Sequence, residues 1–396
     1  MNYKELIKRY KEGLVSEEEK LIIKQEIEKY EAIEEYISDK IDMELDDLTL
    51  FLRNDKHKEE TENLSKSVSR RLRRVVITSV AIVIALVIGI FFIVSPVVDN
   101  FYYNPAKVSV GTKNSDANFD VYAFSELNIP GYSVSSYVNI EKSGFGEYDI
   151  SFFRSNLFTQ EFDYVTAKIK RGIKINDHTG IIRHKGYDFT SVRYPSGMSQ
   201  EHMSRQKSRV MNHIMQLNPV SYVSANLTFE KDLTMEELHV LELKYPEIEF
   251  IWAGIRTPHN TTRNDLIGIH LISSNSLVLT DKLVEEKYPA FHIMEWLVNP
   301  VGYDSSETSL EAKAYELHYK SLLQYMIDRK EATEVIDYSD KLPYYKSALE
   351  YAEENGVKTY GVLIYSNAED LVELAENESI KTLELNEVIA SKKHIK

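Results

Sequence analysis

Residues 75–95 read VVITSVAIVIALVIGIFFIVS and carry no charge. As an α-helix rising about 1.5 Å per residue, this run spans roughly the 30 Å of bilayer hydrocarbon. A core helix with no polar face would need protein on every side. A cleaved signal would sit at the N-terminus and be shorter. The run therefore reads as a transmembrane helix, ended on its far side by Pro96 and Asp99.

The flanks orient it. Lys66, Arg70, Arg71, Arg73 and Arg74 crowd the near side, whereas Asp99 and Asn100 stand at the far side and Lys107 is the first cation beyond them. Positive residues stay inside, so the N-terminus is expected in the cytoplasm and the C-terminal region outside the cell. The Arg cluster also faces anionic lipid, each charge there being worth about 1 kcal/mol. The expected fold class is multidomain. A short α-helical cytoplasmic domain (1–65) leads through a basic juxtamembrane linker (66–74) into the membrane helix (75–97). An exported α+β region follows, β-rich at first (98–210) and mixed α/β in its C-terminal part (211–396).

Composition narrows the chemistry. The chain contains no cysteine, which removes disulfides, thiolate zinc sites, iron–sulfur clusters and cysteine nucleophiles. With 62 acidic residues against 47 basic ones, a net charge of −15 argues against direct binding of nucleic acid.

Residues 1–69 are more acidic still, with 12 Lys and Arg against 19 Asp and Glu, a net charge of −7. Leu6, Ile7 and Tyr10 suggest a short first helix broken at Gly13. Ser16 and Glu19 have capping-box spacing for a second. In that second helix Ile23, Ile27, Tyr30, Ile33, Ile37, Ile41, Leu45 and Leu48 recur at three and four residues, forming one apolar stripe. A hairpin of the two helices would leave most of the stripe wet. A coiled coil would be interrupted by Glu34 and Glu44. An acidic helix with an apolar face suits a basic partner that offers an apolar groove.

The stretch YKEGLVSEEEKLIIKQEIEKYEAIEEYI, residues 10–37, resembles the N-terminal domain of membrane-bound sigma factor regulators of low-GC Gram-positive bacteria, which are anti-sigma factors. The resemblance rests on Tyr10, Gly13, Leu14, Ser16 and Glu18. Many anti-sigma domains continue into a zinc-binding histidine and two cysteines. This chain has no cysteine and no histidine before His57, so that version is excluded. Residues 221–388 resemble the C-terminal domain of the same regulators. The tract 226–257 carries a strand, a helix and a strand with a tryptophan. The tract 348–388 carries an Asn-Gly turn, a Tyr-Gly strand and a closing helix and strand, with Gly356, Tyr360 and Gly361 the most specific positions.

The resemblance implies an extracytoplasmic-function sigma factor as partner. It would be bound through Tyr10, Leu14, Glu17, Glu18, Glu19, Ile23, Ile27, Tyr30 and Ile37, with Arg70, Arg71, Arg73 and Arg74 orienting the chain in the membrane. The exported region would be a sensor or a docking surface for a second small membrane protein.

Read without the family, residues 108–184 show alternating runs such as FDVYAFSEL and YDISFFRS, which suggest strands, and residues 184–220 suggest a boundary or long loop. Helices are expected at 233–245 and 309–329, and strands at 220–229 and 248–256. Strands at 358–365 and 380–388 are expected as parallel neighbours, with a capping box at Ser366 and Glu369 between them. Chemistry finds little support. His178 and His184, near Asp177 and Asp188, form no recognised metal motif. GFGEYDI lacks the third glycine of a phosphate loop and reads as a hairpin turn, and Ser199 near His202 lacks a nucleophile elbow. No catalytic residue, metal or cofactor is assigned. The competing reading is an exported cell-envelope enzyme or binding protein for which the N-terminal segment is only an anchor.

Overall fold

The computed structural model describes residues 58–110, 114–134, 137–174, 189, 199–258, 266–271, 286–304, 309–336 and 341–392, with residues 16, 20, 21, 23–25, 28, 29 and 31–38 of the N-terminal arm. Two compact units are present, Met1–Val87 and Ile88–Lys396.

In the arm, the described positions from 20 to 38 are helical, and Lys20 N donates to Ser16 O at 2.9 Å. Ser16 thus stands at the start of the helix, as its spacing predicts; Glu19 lies outside the described residues. Helix α1 (Lys58–Gly89) runs through a π-helical turn (Ile90–Val94) into α2 (Ser95–Phe101). Within this rod, Arg71–Phe101 is long and apolar enough to cross a membrane, and none of its most apolar window is buried in protein. Pro96 and Asp99 do not end the helix, contrary to the sequence expectation. Pro96 lies in the first turn of α2, where its ring is tolerated, and Ser95 N donates five residues back to Ile90 O.

Helix α3 (Asp116–Asn128) contains FDVYAFSEL, and every one of its 13 residues is buried. The expected strand is therefore a helix. A helix enclosed on all sides has no polar face, so its Phe, Val and Tyr residues show no helical period and pass for strand formers.

Strands β1 (Tyr132–Val134), β2 (Asn139–Gly144), β3 (Glu147–Asn156), β4 (Phe162–Lys170) and β5 (Ile173–Lys174) form one antiparallel sheet, ordered β1-β3-β4-β5 with β2 on the free side of β3. Residues 148–155 are strand, as expected, and GFG is the β2–β3 hairpin turn. Helix α4 (Gln200–Ile214) then occupies the region expected as a loop. Its apolar residues are few, with only Met211 and Ile214 buried, so its polar composition passes for a loop. Ser199 accepts from His202 N as the α4 N-cap, which accounts for their proximity.

The second sheet contains β6 (Tyr222–Thr234), β7 (Glu249–Ile255), β8 (Gly268–His270), β9 (Lys358–Asn367) and β10 (Ile380–Ile389), ordered β10-β6-β9-β7-β8 with every neighbouring pair antiparallel. Helix α5 (Met235–Lys244), started by a Thr234–Glu237 capping box, joins β6 to β7. The short α6 (Ile293–Val298), then α7 (Leu310–Asp328), α8 (Lys330–Ile336) and α9 (Leu342–Asn355) are inserted between β8 and β9, and α10 (Ala368–Asn377) joins β9 to β10. The two β-α-β units interleave as in split β-α-β, ferredoxin-like folds. Strands β9 and β10 run parallel but are not neighbours, because β6 lies between them.

The Ser366–Glu369 capping box does not form. Asn367 is the N-cap of α10, and the first helical donors, Ala368 N and Glu369 N, bond to Ser221 O and Pro219 O instead. Gly361 has no room for a side chain, since a Cβ would meet Leu227 O at 2.2 Å. Gly356 follows α9 at φ +73°, a conformation that favours glycine.

Helix α3 fixes how these parts pack. Asp120 accepts from Arg329 Nε and Nη2 at 3.0 Å each, from Tyr325 Oη at 2.7 Å and from Tyr103 Oη at 2.8 Å. Asp116 pairs with Arg329 Nη1 at 3.1 Å and accepts from Ser109 N and Val110 N. One guanidinium thus neutralises two carboxylates that are fully buried. Removing it leaves uncompensated charge, so Arg329→Met should destabilise the chain by about 3–5 kcal/mol. Urea unfolding followed by circular dichroism measures this, and Asp120→Asn should cost less because a polar partner remains.

Candidate functional site

The arm is the first candidate. Ile23 is buried, whereas Ile33 and Ile37, four residues apart on the same stripe, are 55% and 51% exposed, with Leu21 and Tyr36 also exposed. Part of the stripe is thus already covered within the chain, and part stands open. Tyr10, Leu14, Glu17, Glu18, Glu19, Ile27 and Tyr30 lie outside the described residues. Arg71, Arg73 and Arg74 are exposed at the start of the apolar run, and the side chain of Arg70 lies outside those described.

The second candidate is a buried polar cluster that sequence reasoning missed. Glu126, on the last turn of α3, has Oε2 3.1 Å from His270 Nδ1 on β8 and 3.8 Å from His318 Nε2 on α7. His318 Nδ1 lies 2.8 Å from Ala290 O, a contact that its N–H donates. Burial pushes the Glu126 carboxyl up, but His270 and His318 outweigh it and hold it at about 2. Beside them His292 stacks on Tyr122, ring centroids 4.7 Å apart, and neither of its ring nitrogens has a hydrogen-bond partner. Burial, with the His318 charge, lowers His292 to about 4. The chain signal for this cluster was weak, because its members are 22 or more residues apart.

The same helix end is tied to the second sheet. Trp252 Nε1 on β7 donates to Glu126 O at 3.1 Å, and Lys341 Nζ donates to Asn128 Oδ1 at 2.6 Å. Trp252 is the tryptophan of the 226–257 tract. Its ring lies over Gly268, and the ring of Tyr360 lies over Gly254, where any Cβ would collide. Tyr360 and Gly361 therefore matter for packing rather than for chemistry.

Among the described residues, no three His, Asp or Glu side chains are arranged to hold a metal ion. His178, His184, Asp177 and Asp188 lie outside the described residues. A half-open cavity of about 710 Å³ lies against Tyr288, Phe291, His292 and Trp296. The nitrogens of His292 and Trp296 are sealed from solvent, so they present no donor to it.

Residues 214–387 match the family described as sigma factor regulator C-terminal. That match covers the interleaved β-α-β domain from the end of α4 to β10, the region that carries Trp252, Gly356, Tyr360 and Gly361. Residues 214–387 are thus similar to the C-terminal domain of sigma factor regulators, and among the described residues the chain also has one helix long and apolar enough to cross a membrane. No curated protein and no solved structure matches it.

The cluster makes stability depend on pH. Lowered from 6.5 to about 4, His292 binds fewer protons in the folded chain than in the unfolded one, so its contribution is complete above pH 6.5 and is lost as pH falls to 4. Glu126, lowered from 4.5 to about 2, acts in the same direction at lower pH. Between pH 7 and 4 the chain should lose roughly 3 kcal/mol more stability than a His292→Phe variant, which keeps the stacking and removes the titration. Denaturant titrations at both pH values read the difference.

Proposed function

We propose that the chain is a membrane-bound anti-sigma factor whose N-terminus is cytoplasmic and whose C-terminal unit is outside the cell. Its arm, residues 1–65, sequesters an extracytoplasmic-function sigma factor. Support comes first from the exposed Ile33 and Ile37 on an acidic helix, in a chain whose other end is a sigma factor regulator domain. The basic residues Arg71, Arg73 and Arg74, at one end of the apolar run, favour this orientation.

The mechanism is occlusion. The open stripe packs against the sigma factor's apolar and basic polymerase- and DNA-binding surfaces, holding it at the membrane and away from polymerase. Tyr10, Leu14, Ile27, Tyr30, Ile33 and Ile37 are the proposed anchors, each worth about 1–3 kcal/mol when buried. Ile23, already buried, supports the arm's own packing. Glu17, Glu18 and Glu19 steer the encounter with a basic partner. The C-terminal unit acts as the sensor or as the dock for a second membrane protein.

Residues 1–70, immobilised and exposed to a lysate of the native host, should retain a small basic sigma factor, and deleting residues 1–65 from the full chain should release its transcription. Reversing the charge of Glu17, Glu18 and Glu19 should slow association at low salt and flatten its salt dependence. An anchor-only role would leave transcription unchanged on deletion and would retain no sigma factor.

A further inference from the structure

Towards its C-terminal end the apolar helix carries a stripe that turns polar: Phe91, Ser95 and Asp99 follow one another at intervals of four residues. The tip of the β2–β3 hairpin lies along this stripe residue by residue. Phe145 packs edge-on against Phe91, ring centroids 5.8 Å apart; Phe145 N donates to Ser95 Oγ at 2.9 Å; and Gly146 N donates to Asp99 Oδ1 at 2.7 Å. Lys142 of β2 pairs with the buried Asp99 carboxylate. A second turn closes the site, where Arg171 N donates to Gly146 O at 2.7 Å.

The hairpin holds Phe145 in a costly conformation. Residues 144–146 all have positive φ, and Phe145, at φ +56°, lacks the glycine or asparagine that tolerates it. Such strain persists where the surroundings impose it. Here the outcome is to aim the ring down the helix at Phe91, which lies four residues, or about 6 Å, inside the end of the uncharged run. The rest of the helix end faces outward with apolar groups: Phe92, Val97 and Phe101 are exposed at 76%, 48% and 75%. Phe145 itself is only half-buried.

We propose that the tip of this hairpin is seated in the lipid leaflet on the C-terminal unit's side, with Phe145 inserted at the boundary of headgroups and acyl chains beside Phe91. The bilayer is the occupant because Phe91 places the tip at that depth: if the helix spans, no water-filled space is available there. Aromatic rings favour this boundary. Seating the tip also keeps the polar contacts of Ser95 and Asp99 away from lipid, since the hairpin backbone shields them. The C-terminal unit is then fixed to the membrane by two points, the helix and the hairpin, which limits its rotation about the helix axis. The proposal rests on the reading of the helix as membrane-spanning.

The full chain carrying Phe145→Trp, reconstituted in phosphatidylcholine vesicles, tests it, with the unaltered chain supplying the background from Trp252 and Trp296. Lipid brominated near the headgroup should quench the added emission strongly, and lipid brominated near the chain end should quench it weakly. Phe92→Trp serves as the control for spanning. Quenching at position 92 without quenching at 145 overturns the hairpin proposal alone and leaves its tip to water or to a second membrane protein. No quenching at either position overturns the spanning reading as well. Because Phe145→Trp could disturb the turn, the unaltered chain is also labelled by a photoactivated carbene on a lipid acyl chain. Adducts at residues 144–146 support the proposal, and their absence alongside adducts at 91–93 contradicts it.

Discussion

One guanidinium holds the C-terminal unit together. Arg329 reaches the buried carboxylates of Asp116 and Asp120, and the second of these also receives Tyr103 and Tyr325. Two carboxylates one helical turn apart repel each other and are costly to remove from water, so α3 can be buried on every side only with a cation between them. With that cation in place, α3 becomes the common wall for the segment leaving the membrane helix (Tyr103, Ser109, Val110), for β8 and α7 through Glu126, and for β7 through Trp252.

This arrangement gives the membrane helix a firm continuation. Asp99 is held by the β2–β3 hairpin, and four residues later Tyr103 is held by Asp120, so both polar contacts at the helix exit end on elements of the same unit. The arm has the opposite character. Its helix presents Ile33 and Ile37 to solvent, and it carries an excess of negative charge. In the proposed function the rigid end receives the signal and the incomplete end is finished by the sigma factor.

How much of this could be read from the chain depended on where the surroundings of each residue came from. The membrane run, the Ser16 helix start, the hairpin at GFG and the helix N-capped by Ser309 depend on local sequence, and each was legible. Helix α3 was misread because its neighbours, not its own pattern, decide its fate: thirteen buried positions leave no period to detect. The β9–β10 pairing failed for a similar reason, since the strand between them comes from more than a hundred residues earlier. The charge clusters were invisible because Asp120 meets Arg329, and Glu126 meets His318, only through the long insertion between β8 and β9, while Glu126 meets His270 of β8 across 144 residues of chain. The family motif was legible before its reason was: Gly361 is needed because Leu227 O occupies the place of its side chain.

Hydrogen exchange on the full chain in a bilayer, read with and without the sigma factor that the arm retains, tests the central claim most directly. The account predicts that amides of α3 exchange only at the rate of global unfolding in both states. Amides at 31–38 should exchange orders of magnitude faster in the free chain and become protected when the sigma factor binds. Protection at 31–38 in the free chain equal to that in the complex would contradict it, because the arm would then be complete without a partner.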